Sequence, residues 1–137
     1  MGRRPGMGSR RTMGTLTQPS AVICDDDPCV RGVISRVVED AGYGIVAEID
    51  VATHLMAAVA AVQPDLVTLD LWLPGISGLD AIREVRAASP HTRIVVFSAH
   101  DGWREEALAL GADRFVEKPY FESLTNAIDP GALAVSA

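Results

Sequence analysis

The sequence predicts an α/β fold: a doubly wound, five-stranded parallel sheet with helices on both faces. Three observations carry that prediction. Five short, largely apolar runs (21–24, 44–49, 65–70, 92–97 and 114–117) have the composition of strands covered on both sides. Segments with apolar residues at helical spacing alternate with them, the pattern of repeated strand–helix units. Charged residues close three of the runs: Asp25, Asp26 and Asp27 after the first, Asp70 in the third and Lys118 after the fifth. Open α/β sheets bind their ligands outside the carboxyl ends of the strands.

The elements follow in order. Residues 21–24 form a buried strand. Asp27 is an N-cap and Pro28 the first residue of a helix, in which Val30, Val33, Ile34, Val37, Val38 and Ala41 share one face and Gly42 is the stop. After the second strand, an alanine-rich helix covers 51–63 and closes at Gln63-Pro64. The third strand begins at Asp65 and ends at Asp70. A loop with Pro74, Gly75 and Gly78 leads into a helix reaching about Ala88, with Leu79, Ile82 and Val85 inward. Ser98 marks the end of the fourth strand. Asp101 is placed to cap a helix running to Leu110, which Gly111 ends. After the fifth strand a short helix covers 120–129, cut early by Pro130 and Gly131.

A chain of 137 residues holds one domain with a real core, assigned to 21–129. Residues 1–20 carry Arg3, Arg4, Arg10 and Arg11 among Gly, Ser and Pro and are read as a disordered basic leader; 130–137 is a short tail. The net charge is −6, and with the leader's four arginines set aside eight basic residues face eighteen acids, a formal −10. Such a body repels a nucleic-acid backbone, so direct nucleic-acid binding is not expected. No apolar run reaches membrane-helix length, and no membrane partner is expected. Two cysteines, Cys24 and Cys29, make no disulfide framework or zinc spacing, and a reducing, cytoplasmic setting is inferred.

Strands one and three are neighbours in a doubly wound sheet, so Asp25, Asp26 and Asp70 converge. Three carboxylates held together repel and need a cation, and oxygen-only ligands favour Mg²⁺. Asp27 is read as a cap only. Asp70, flanked by Leu69 and Leu71, has the setting of a poorly solvated nucleophile toward a phosphoryl group. Lys118, the chain's only lysine, offers a point charge to a phosphoryl oxygen, and Ser98 a hydroxyl. Pro119 after Lys118 suggests a fixed, cis backbone. No phosphate-binding glycine loop or dinucleotide fingerprint is present.

These pieces together resemble the receiver domain of two-component response regulators over 21–129. The resemblance rests on Val22-Ile23-Cys24-Asp25-Asp26-Asp27-Pro28, on the segment from Pro64 through Asp70 to Gly78, on Ser98-Ala99, and on the run from Gly111 to Lys118-Pro119. It implies a sheet order of 2-1-3-4-5. It implies that Asp70 takes a phosphoryl group from a sensor histidine kinase or phosphotransfer protein. Asp25, Asp26, Asp70 and the backbone carbonyl of Trp72 would hold Mg²⁺. Ser98 and Phe115 would be the switch pair, Lys118 would pair with the phosphate, and Pro119 would be cis. Output would pass to a downstream effector protein through 99–129, where Trp103 offers an anchor, and a homodimer through the face of the fourth helix is a further option. A stand-alone switch is the expectation, with a phosphorylation-independent binding module or a piece of a longer regulator as alternatives. Catalysis would be limited to self-phosphorylation and autodephosphorylation. A phosphatase with an aspartyl nucleophile and a second aspartate two residues later is disfavoured, because Trp72 stands there. Trp72 is bulky for that loop and is expected to alter the lifetime of the phosphoryl group.

Overall fold

The computed structural model describes residues 18–130. The expected leader and tail, apart from residues 18–20 and 130, lie outside them. Among the described residues, five strands and five helices alternate: β1 (Ser20–Cys24), α1 (Pro28–Asp40), β2 (Gly44–Ile49), α2 (Ala52–Val62), β3 (Leu66–Leu69), α3 (Gly78–Ala88), β4 (Arg93–Ser98), α4 (Arg104–Ala109), β5 (Arg114–Glu117) and α5 (Phe121–Ile128). The strands make one parallel sheet in the order β2-β1-β3-β4-β5. Fold class and order are as the sequence and the resemblance imply.

Side chains alternate across the strands, so each strand feeds two cores. Val22, Cys24, Val67, Leu69, Ile94, Val96 and Phe115 pack against Leu55 and Val59 of α2, Ile82 and Val85 of α3 and Ala107 of α4. Ala21, Ile23, Leu66, Val95, Phe97 and Val116 pack against Ile34 and Val38 of α1 and Leu124 and Ile128 of α5. Two apolar layers thus hold the sheet rigid beneath its strand ends.

The helix signals work as local chemistry predicts. The Asp27 side chain accepts from the backbone N–H groups of Cys29 (2.9 Å) and Val30 (3.3 Å), and Pro28 opens α1. Gly42, with φ 104°, lets the chain leave α1. Gln63 closes α2 in the left-handed region at φ 52°, where its Nε2 donates to the carbonyl of Ala88 at 3.0 Å. Asp129 is extended, as a residue before proline tends to be, and α5 ends at Ile128.

Three expectations need correction. Val33 does not face the core; it is 46 % exposed, because it lies at the edge of the stripe centred on Ile34 and Val38. Asp101 does not cap α4. The helix begins at Arg104, whose N–H donates to the Asp101 carbonyl at 3.0 Å in a turn through Gly102. Glycine is a poor helix residue, and Trp103 takes its place in a ring stack instead of a first turn. Asp65 precedes β3 and does not belong to it; its carboxylate accepts the Ser20 N–H at 2.8 Å and ties the starts of β1 and β3 together.

Candidate functional site: an acidic cluster around one lysine

The site grows from the carboxyl ends of β1, β3, β4 and β5. Asp25 extends the β1 ladder, donating its N–H to the Ile49 carbonyl at 3.0 Å. Asp70 does the same beyond β3, donating to the Cys24 carbonyl at 3.0 Å. Those two bonds set the carboxylates side by side in a fixed register. Asp25 is fully buried and Asp70 is 6 % exposed, while Asp26 faces solvent.

Each buried carboxylate is held at both oxygens. Asp25 Oδ1 accepts the Asp27 N–H at 2.9 Å, and Asp70 Oδ1 accepts the Trp72 N–H at 3.0 Å. Lys118 Nζ bridges the remaining oxygens, at 2.7 Å from Asp25 Oδ2 and 3.1 Å from Asp70 Oδ2. The lysine arrives from β5 on a backbone fixed by its own N–H, which donates to the Ser98 carbonyl at 2.8 Å, and the Lys118–Pro119 peptide is cis. Burial opposes the ammonium charge, but the Asp25 hydrogen bond and the charges of Asp70 and Asp25 outweigh it. The Lys118 pKa is therefore raised above its ordinary 10.5. Nearby, burial first and the Asp25 charge second push the Cys24 thiol up, so that it behaves as a small apolar core residue.

Oxygen atoms of Asp25, Asp26 and Asp70 all lie within 4.8 Å of one another. Three carboxylates and one ammonium leave an excess of two negative charges. The donors are hard oxygens, one of them open to water, which suits a small divalent cation that keeps part of its hydration shell.

Ser98 is buried at the end of β4, and its Oγ accepts the His100 N–H at 3.2 Å. Phe115 is buried on the α4 side of β5; the Arg104 guanidinium lies 4.7 Å over its ring, and Arg104 Nη1 donates to its carbonyl at 3.1 Å. Gly78 is a steric requirement of this end of the sheet: a Cβ there would lie 2.4 Å from the Leu71 carbonyl oxygen, next to Asp70.

Two features were not read from the sequence. Arg31 donates from Nη1 to the Asp25 carbonyl at 2.7 Å, and its Nε lies 3.4 Å from Glu48 on β2. It braces Asp25 from behind; its position one helical turn after Asp27 was the available signal. The second is an aromatic cluster. Trp72 stacks on Trp103 with centroids 4.9 Å apart and planes at 22°, and His100 meets Trp72 at 4.9 Å and 62°.

Residues 21–129 match the family description of the response regulator receiver domain. This chain is a response regulator receiver. It is similar to the chemotaxis protein CheY of Listeria monocytogenes, with 32 % identity over 101 residues that cover 72 % of this chain and 85 % of that protein. Among solved structures, it resembles the signal receiver domain of the putative response regulator NarL from Mycobacterium tuberculosis. The TM-score is 0.73 at 28 % identity, over 87 % of this chain and 96 % of that one. It also resembles a response regulator from Burkholderia pseudomallei solved with a phosphorylated aspartic acid, a calcium ion and citrate. There the TM-score is 0.73 at 26 % identity, over 86 % of this chain and 71 % of that one. The acidic cluster with its bridging lysine is the arrangement typical of a receiver's phosphoaccepting site, suited to self-phosphorylation and autodephosphorylation. Among the described residues, no helix of this receiver is long and apolar enough to cross a membrane.

Proposed function

We propose that Asp70 accepts a phosphoryl group from a phosphohistidine on a sensor histidine kinase or phosphotransfer protein, and that the modification switches a protein-binding surface. The observation that carries this reading is the position of Lys118 Nζ, within 3.1 Å of both Asp25 and Asp70, while Asp26 completes the oxygen cluster. A carboxylate oxygen of Asp70 attacks phosphorus, the P–N bond breaks, and the imidazole leaves with the bonding pair and takes a proton from solvent. The Trp72 N–H orients one Asp70 oxygen for the attack. Lys118 stays charged at neutral pH and moves its contact from the Asp70 carboxylate to a phosphoryl oxygen, where it offsets the incoming charge.

Asp25, Asp26, Asp70 and the Trp72 carbonyl are the residues to hold Mg²⁺, which when bound neutralises charge on the transferring phosphoryl group. Ser98 exchanges its contact with the His100 N–H for a phosphoryl oxygen, drawing the β4–α4 loop toward Asp70. Phe115 is already inward, clamped under Arg104, so its part is to hold the inward arrangement that the Ser98 shift favours. The surface formed by α4, β5 and α5 then meets an effector protein or a second copy. The likeness to a regulator bearing a phosphorylated aspartic acid supports the reading, and a cytoplasmic setting belongs to it.

Intact mass after incubation with acetyl phosphate and Mg²⁺ tests this. A single phosphoryl adduct is expected, dependent on Mg²⁺ and absent from Asp70→Asn. A folded parent that takes no adduct, or an Asp70→Asn variant that takes the same one, refutes it.

A further inference from the structure

Asp70 follows β3 directly and Ser98 ends β4, neighbouring strands whose register pairs Leu69 with Val96. Beyond these ends the chain makes two loops that no backbone ladder joins. The Trp72–Trp103 stack spans them: Trp72 is the second residue after Asp70, and Trp103 immediately precedes α4. The two rings are anchored differently. Trp103 packs against the apolar core on the α2–α3–α4 side of the sheet, whereas Trp72 is 50 % exposed. With His100, Asp101 and Gly102 they border an open cleft of about 280 Å³. The fixed ring therefore holds the free one, and the held residue donates the N–H that positions Asp70 Oδ1.

We propose that Trp103 is a positioning residue for the phosphoacceptor, acting through its stack on Trp72. The stack ties the Asp70 loop to the start of α4, next to His100, which touches both Trp72 and Ser98. By this proposal the stack limits the approach of water to Asp70 from the side between β3 and β4. Hydrolysis of the aspartyl phosphate needs a water oxygen to attack phosphorus, breaking its bond to the Asp70 oxygen and releasing inorganic phosphate and the carboxylate. Releasing the Trp72 ring opens that approach. A partner that grips the start of α4 acts on the same stack and is expected to change the lifetime of the phosphoryl group.

The inference rests on Asp70 being the phosphoacceptor, and the test separates the two claims. Protein is phosphorylated with acetyl phosphate and Mg²⁺, the donor is removed, and the decay of the adduct is followed by intact mass. Trp103→Phe keeps a ring and should retain the parental lifetime to within about twofold, given the size of aromatic pair energies. Trp103→Leu keeps the apolar anchor but loses the stack, and should shorten the lifetime by about threefold to tenfold, the same energies expressed as a rate ratio. In a Trp72→Ala background Trp103→Leu should add nothing, because its partner is gone. A Trp103→Leu lifetime equal to the parent's, or an effect of full size in the Trp72→Ala background, overturns the proposal while leaving the phosphoacceptor intact. A parent that forms no adduct overturns both.

Discussion

The two ends of the sheet use the same materials to opposite effect. At the amino end of β4 and β5, Arg86 donates to the carbonyls of Pro90 (2.8 Å), Thr92 (2.7 Å) and Gly111 (2.7 Å) and to Asp113 Oδ2 (2.9 Å). Asp113 Oδ2 also accepts the Ile94 N–H at 2.9 Å. Arg93 Nε lies 4.0 Å from the same oxygen, so two guanidinium groups face one carboxylate and no negative charge is left over, while neutral carbonyls take the remaining Arg86 donors. At the carboxyl end one lysine faces three carboxylates, and the charge does not balance. The amino end is a clasp whose carboxylate is fully matched by cations, with no reason to change. The unbalanced end holds excess negative charge in a rigid register, which only a cation or a new bonding pattern relieves. That difference distinguishes a structural ion pair from a working site.

The largest expected effect is at the unbalanced end. Lys118→Met removes the only ammonium beside a fully buried Asp25 carboxylate. Without divalent metal, urea titration should show a loss of about 3 kcal/mol, the range for breaking a buried pair. Added Mg²⁺ should restore much of it, and a loss insensitive to Mg²⁺ would break the contrast. Next comes Arg86→Met, with an expected loss of about 2 kcal/mol from hydrogen bonds made by a partly exposed charged group. That loss should be the same with and without Mg²⁺. A change in Mg²⁺ affinity in this variant would show that the two ends are coupled.

Tyr43 supplies a neutral comparison. Its buried hydroxyl donates to the Ile128 carbonyl at 2.6 Å, fixing the last turn of α5, and burial, then the Asp65 charge, push its pKa up to about 12. Tyr43→Phe should cost about 1 kcal/mol by the same titration and leave phosphorylation unchanged.

The smallest effect is in pH. The folded-state pKa of Lys118 lies above 10.5, so its contribution to stability is complete below that value and is lost as pH rises through the folded-state pKa. The stability gap between parent and Lys118→Met should stay constant from neutral pH to about 10 and close above it. A gap that closes near neutral pH would mean the ammonium is not held as described.

Much of this was legible in the sequence because strand ends are local features. An apolar run followed by an acid places Asp25 and Asp70, and Asp27-Pro28 writes its own cap. What escaped depends on groups that only the fold brings together. The acceptors of Arg86 include Gly111, 25 residues along, and Asp113, 27 along. The carbonyl that Arg31 holds is set by the β1 ladder. Asp101 looked like a cap because capping is read from neighbouring residues, whereas the start of α4 is decided by Trp103 meeting Trp72 across two loops. Val33 failed for a simpler reason: a stripe read from spacing alone has no sharp edge.

Amide hydrogen exchange with and without Mg²⁺ and beryllofluoride, a phosphoryl mimic, separates the two ends of the sheet. New protection is expected at 25–27, 70–72 and 98–104, with none at 86–94 or 111–113. Equal changes at both ends of the sheet, or no change at the carboxyl end in protein shown to bind the mimic, would contradict the contrast between them.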